Sequence, residues 1–149
     1  MKYLFVILFF ILSNLVHAQI SLTEFNFRFK EQPKIIMLYF YTDWCNVCKI
    51  QEKQIHSNPK IQAFLKNEVY YIKINGESSE IINFLDQTYI PSLDQKTHPF
   101  ATIFIHKNDI TYPMWIILDQ NLKIIDQYSG LIKSNTFELL IDQIKKSNQ

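Results

Sequence analysis

Leu22, Phe25 and Phe29 recur at i, i+3 and i+7. That spacing places them on one face of a helix, and Pro33 ends the stretch. Residues 34–41, KIIMLYFY, form a short unbroken apolar run rich in β-branched and aromatic side chains. Such a run marks a strand buried on both faces, as in the middle of an α/β sheet. TDWCNVCKIQEKQIH follows at once and reads as a helix with Val47, Ile50 and the Gln54-Ile55 pair on its inner face. Asn58-Pro59 restarts the chain: Asn caps, Pro takes the first helical position, and Ile61, Phe64 and Leu65 make the apolar stripe.

Residues 68–75, EVYYIKIN, alternate as a second strand, and Gly76 breaks it. Residues 81–84 and 88–90 read as the arms of a hairpin turning at 85–87. A helix over 98–107 is expected to bury Phe100, Ile103 and Phe104. After Pro113, residues 114–118 and 122–128 form two strands joined by Asp119-Gln120-Asn121. Ser134 or Asn135 caps a last helix that buries Phe137, Leu140, Ile141 and Ile144. No linker interrupts this pattern, so it predicts one domain.

The chain begins differently. Lys2 precedes an apolar run over residues 3–12, followed by Ser-Asn-Leu-Val-His-Ala. A positive start, an h-region of this length, and Val16 and Ala18 at −3 and −1 match a secretory signal peptide. A membrane anchor needs ~20 apolar residues, and Ser13, Asn14 and His17 interrupt the run before that. The expected division is therefore a signal peptide over 1–18 and an exported mature domain over 19–149.

Composition adds exclusions. The 149 residues carry 15 Lys plus Arg against 14 Asp plus Glu. That balance gives no reason to expect nucleic acid. With 48% hydrophobic and 15% aromatic residues the chain can build a core and is not disordered. Tyr70, Tyr71, Phe100, Phe104 and Trp115 read as core, and His98 and His106 as surface or capping residues. No glycine-rich phosphate loop, serine-triad signature or EF-hand appears.

The chemistry lies in Trp44-Cys45-Asn46-Val47-Cys48-Lys49. Cysteines three apart on the first turn of a helix can cross-link. Free N–H groups and the helix dipole there favour a thiolate at Cys45, which is the nucleophilic form. Cys45 is expected at the exposed end and Cys48 one turn in and more buried. Cys45 would attack a substrate disulfide and Cys48 would resolve the mixed disulfide. Lys49 adds positive charge or is simply solvated. Half of a zinc site would need two more ligands; there is no second cysteine pair, and His56, His98 and His106 lack zinc-finger spacing. An inert structural disulfide would close too small a loop to restrain the unfolded chain much. Redox chemistry is the better reading.

These residues resemble the thioredoxin superfamily over roughly residues 22–144. The matches fall in order: MLYFYTDWCNVCK, the Pro59 helix, YYIKIN, Tyr112-Pro113 before MWIILD, and Gly130 before the last helix. The resemblance implies an α/β three-layer sandwich, a central mixed β-sheet flanked by helices. It makes Pro113 a cis-proline opposite the cysteines, with Trp44, Tyr112 and Pro113 shaping the substrate groove. More closely, the chain resembles exported bacterial thioredoxin-like proteins with a segment inserted before the cis-proline, here about Gly76 to His98. Such proteins are generally periplasmic thiol–disulfide oxidoreductases. The implied activity is reduction or isomerisation of protein disulfides, with Cys45 as nucleophile and Cys48 as resolving cysteine. No cofactor or metal, a membrane electron donor and a monomer are expected. A disulfide-forming oxidase and a non-catalytic binding module are the alternatives.

The departures are specific. Thioredoxins proper carry Gly-Pro between the cysteines, where this chain has Asn46-Val47. They place a buried carboxylate six residues before the first cysteine, where this chain has Tyr39. With a reference pKa of ~10, Tyr39 reads as core packing or a hydroxyl handle rather than a base. Tyr112 replaces the usual Thr before the proline.

Overall fold

A computed structural model describes residues 19–105 and 110–147. The expected signal peptide and His106 lie outside the described residues. The order of elements is α1 (Leu22–Glu31), β1 (Ile36–Tyr41), α2 (Asn46–Ser57), α3 (Pro59–Asn67), β2 (Tyr70–Asn75), β3 (Ile82–Phe84), β4 (Gln87–Tyr89), α4 (Pro99–Thr102), β5 (Met114–Leu118), β6 (Ile124–Ser129) and α5 (Ser134–Ser147).

Four strands form a mixed sheet in the order β2-β1-β5-β6. β1 runs parallel to β2 and antiparallel to β5, and β6 is antiparallel to β5 at the edge. Because side chains alternate along a strand, β1 feeds two cores. Met37 and Tyr39 join α2, α3 and α5 through Cys48, Ile55, Ile61, Phe64, Phe137 and Ile141. Ile36, Leu38 and Phe40 join α1, the β3–β4 hairpin and α4 through Phe25, Phe29, Ile82, Phe84 and Phe100. The three-layer α/β sandwich implied by the resemblance is the observed one.

Local chemistry sets the element ends. Ser21 caps α1 by accepting the Glu24 N–H. Asn58 Oδ1 accepts the N–H groups of Lys60 and Ile61, with Pro59 in the first turn of α3; such a cap is worth about 1 kcal/mol. The Asp119 carboxylate accepts from Asn121 and Lys123 and so closes the β5–β6 turn. The hairpin falls where expected, and Asn26 of α1 grips it by bonding Asn83 O and Leu85 N–H. α5 buries the four expected residues. It starts directly after Lys133, whose carbonyl accepts from Phe137, so Ser134 and Asn135 sit in its first turn rather than at its cap.

Three other expectations change. The helix over 98–107 shrinks to Pro99–Thr102, with Phe100 and Phe104 buried but Ile103 exposed. Thr102 Oγ1 turns back onto Pro99 O there, a local bond that competes with helix continuation. On α2 the buried residues are Cys48, Gln51 and Ile55, while Val47 and Ile50 are 41% and 50% exposed. Gln51 is buried because its amide closes a reciprocal pair with Ile132: Nε2 donates to the carbonyl at 3.2 Å, and Oε1 accepts the N–H at 2.8 Å. Finally, His98 caps α4 as expected but is buried rather than on the surface. Its Nδ1 accepts the Phe100 N–H, its Nε2 meets Glu80 O at 3.0 Å, and its backbone N–H donates to Gly76 O at 2.8 Å. Residues 76–98 are thus tied shut at their two ends.

Replacing Gln51 by Leu leaves both Ile132 main-chain groups without partners in a buried place. A loss of about 2–4 kcal/mol is expected from urea unfolding; an unchanged midpoint would contradict the clasp. His98 titrates with the opposite sign to a salt-bridged histidine. Burial pushes it below its ordinary value, against the pull of the Glu80 carbonyl. The unfolded chain therefore binds the extra proton first, and stability falls as pH drops below about 6.5. His98→Asn keeps a capping oxygen without titrating, so its melting temperature should lack that component between pH 7 and 5. Parallel pH profiles for the two proteins would refute the assignment.

Candidate functional site at the end of strand β1

β1 ends at Tyr41, and Thr42 O accepts the Cys45 N–H at 3.1 Å. This tight turn makes Cys45 the N-cap of α2, with its Sγ accepting the Cys48 N–H at 3.1 Å. The two cysteines form a disulfide with their Cα atoms 5.3 Å apart. Cys45 is 4% exposed and Cys48 2%. The expected contrast between an exposed and a buried cysteine is therefore absent in the closed pair, where both are covered. What separates them is the cap: only Cys45 holds its sulfur against a free helix N–H, where negative charge is favoured. Lys49 is exposed, as is Asp43, whose carboxylate accepts from Asn75 Nδ2.

Tyr112-Pro113 is cis, as the resemblance implies. Pro113 is buried and its carbonyl accepts the Gly130 N–H at 2.7 Å. Gly130 has φ +86°, a left-handed conformation natural to glycine. Tyr112 is half-buried and meets the Trp44 ring edge-on at 6.3 Å between centroids. Burial, helped by the Glu77 charge, pushes the Tyr112 phenol up to about 12, so it keeps its proton at neutral pH. Gly76 makes room for it: a Cβ there would run into Tyr112 Oη.

Trp44 is 60% exposed, yet it is held on several sides. Its Nε1 donates to Glu77 Oε2 at 2.9 Å, and Lys96 Nζ lies 5.3 Å over the ring. Lys96 also pairs with Glu77 at 3.3 Å. Trp44, Tyr112, Glu77, Lys96, Ile105 and Ile110 lie along a cleft of about 640 Å³. The structure thus brings Trp44, Tyr112 and the Cys45–Cys48 loop into one region and adds Glu77 and Lys96, which the sequence reading did not single out. Only a general signal pointed to them: a polar stretch between two elements.

On the inner side of α2, Tyr39 Oη donates to Cys48 O at 3.1 Å. The hydroxyl handle is therefore real, and burial holds its phenol well above the usual range. Tyr39 packs against Trp115 and Tyr71, and beside them Glu52 pairs with Lys73 at 2.9 Å. The five aromatics expected in the core are all buried.

A profile of the Thioredoxin-like domain family matches residues 28–145. Comparison with curated proteins found no match. Among solved structures, a thioredoxin-fold protein from Helicobacter pylori superposes with a TM-score of 0.59 at 17% identity, over 90% of this chain and 77% of that one. A disulphide isomerase from Xylella fastidiosa Temecula1 gives 0.55 at 14% identity, over 93% and 99%. The DsbH oxidoreductase gives 0.53 at 16%, over 90% and 94%. At such identities these structures establish the fold, whereas the profile spans most of the chain. The chain belongs to the thioredoxin-like domain family.

Proposed function

We propose that this thioredoxin-like thiol–disulfide oxidoreductase works outside the cytoplasm, in the periplasm, where it reduces or isomerises the disulfides of protein clients. One observation carries the chemistry: Cys45 Sγ occupies the N-cap of α2 within bonding reach of Cys48. In the reduced protein the Cys45 thiolate attacks one sulfur of a client disulfide. The second client sulfur leaves as a thiolate and takes a proton. Cys48 then attacks Cys45 Sγ, the Cys45–Cys48 bond forms, and the first client sulfur is released. Two electrons pass from the protein to the client, and a membrane donor restores the dithiol.

Trp44, Tyr112 and Pro113 are the surfaces that hold the client chain against Cys45. Trp44 adjoins Cys45, Tyr112 packs against the Trp44 ring and the core around both cysteines, and the cis bond joins Pro113 to Tyr112; these positions support that role. The N-terminal pattern of residues 1–18 supports export, with residues 19–149 as the working domain. An oxidase reading is favoured by the same cap, because a thiolate stabilised there stabilises the reduced form.

Cys48→Ala removes the resolving sulfur and should accumulate covalent adducts with client proteins through Cys45, visible as bands lost on reduction. The Cys45→Ser/Cys48→Ser double variant should form none and lose activity in cells. A double variant that keeps full activity would instead make the protein a non-catalytic binding module.

A further inference from the structure

The first turn of α2 carries both cysteines, and hydrogen bonds of two kinds hold it. One kind stays within the turn and the loop before it. Cys45 N–H donates to Thr42 O, Cys48 N–H to Cys45 Sγ, and Lys49 N–H to Cys45 O at 3.3 Å. The other kind comes from the sheet, where Tyr39 Oη donates to Cys48 O at 3.1 Å.

Tyr39 is a fixed point. It is fully buried in the middle of β1, in register with Lys73 of β2 and Trp115 of β5. Its ring packs on Trp115, with centroids 4.5 Å apart, and on Tyr41 and Tyr71 at 6.2 and 6.4 Å. Burial holds the phenol well above the usual range, so the hydroxyl keeps its proton and stays a donor. The Cys48 C=O and the Lys49 N–H belong to one peptide group. A bond to that carbonyl polarises the group and strengthens the bond its N–H makes to Cys45 O. The phenol thereby ties both cysteine residues to the sheet.

In the closed pair the S–S bond itself fixes the turn. Reduction removes that link, and helix ends fray. A tether to the sheet keeps Cys48 where ring closure needs it, so less freedom is lost when the bond forms again. Its effect opposes that of the Cys45 cap, which stabilises the thiolate and hence the reduced form. We propose that Tyr39 is a positioning residue that holds the reduced Cys48 turn against β1 and so shifts the couple toward the disulfide, making the protein a stronger reductant. This rests on the exchange reading above. The favoured step is ring closure: the Cys48 thiolate attacks Cys45 Sγ, the Cys45–Cys48 bond forms, and the partner sulfur leaves as a thiolate. Over a full exchange with glutathione disulfide the dithiol gives two electrons and two protons, and two glutathione thiols result.

The test is Tyr39→Phe, which removes the hydroxyl and keeps the ring, beside Tyr70→Phe as a matched control. Tyr70 lies in the other core and donates to Gln32 O at 2.8 Å, the same kind of phenol-to-carbonyl bond. Each protein is equilibrated with glutathione redox buffers, and ring closure from the glutathione adduct is followed by stopped-flow tryptophan fluorescence. Tyr39→Phe should lower the equilibrium constant for disulfide formation about 3- to 10-fold, which makes the potential about 14–30 mV less negative. It should slow ring closure by a similar factor. Tyr70→Phe should lower the urea midpoints of both redox forms and leave the equilibrium and the closure rate unmoved. A purely structural Tyr39 would behave as Tyr70 does, with equal losses in both forms and an unmoved potential; that result overturns the tether. So does a shift toward the disulfide. Hydrogen exchange on the reduced wild type needs no variant: its Lys49 amide should stay protected, and exchange as fast as in an unfolded chain overturns the tether as well. Wild-type protein that never exchanges with glutathione overturns the exchange reading instead.

Discussion

β1 is buried on both faces, and this constraint fixes where the cysteines can be. Its alternate residues are committed to two different cores, so the strand cannot slip by one residue without turning every side chain to the wrong layer. The turn after Tyr41 therefore starts at a fixed height, and Cys45 lands on the cap of α2. From there the helix presents Cys48, Gln51 and Ile55 inward. The Gln51–Ile132 clasp joins it to the chain that enters α5. The chemistry of the pair follows from a packing decision made in the preceding strand.

The cleft beside Trp44 is built from three stretches of sequence meeting at one place. The cysteine loop supplies Trp44, the residue before the cis-proline supplies Tyr112, and the segment closed by His98 supplies Glu77 and Lys96. Glu77 and Lys96 are surface charges whose ion pair alone would add little stability. Their weight lies in restraining the indole next to Cys45. The Gly76–Tyr112 packing works in the same direction, because a side chain at 76 would drive the phenol out of its place.

Much of this was legible in the sequence because apolar periodicity reports burial directly. The strands over YYIKIN and MWIIL, the α3 stripe and the four inward residues of α5 all obey it. The reading of α2 failed where hydrophobicity and burial part company. Gln51 is buried because hydrogen bonds satisfy its amide, while Val47 and Ile50 stay exposed beside the cysteines. Patterning carries no information about either. His98 shows the same limit, since its ring is buried by bonding to Phe100 and Glu80 main-chain groups. The cis state of Pro113 came from the resemblance and not from residue pattern.

The central claim is that Cys45 and Cys48 form an exchanging couple that works as a reductant. The most direct measurement equilibrates the protein with glutathione redox buffers and counts free thiols by alkylation after acid quenching. The account predicts a reversible two-electron transition with a potential of about −250 mV or lower, on the thioredoxin side of the scale. A pair that never exchanges, or a potential near ~−120 mV as in strong oxidants, would contradict it.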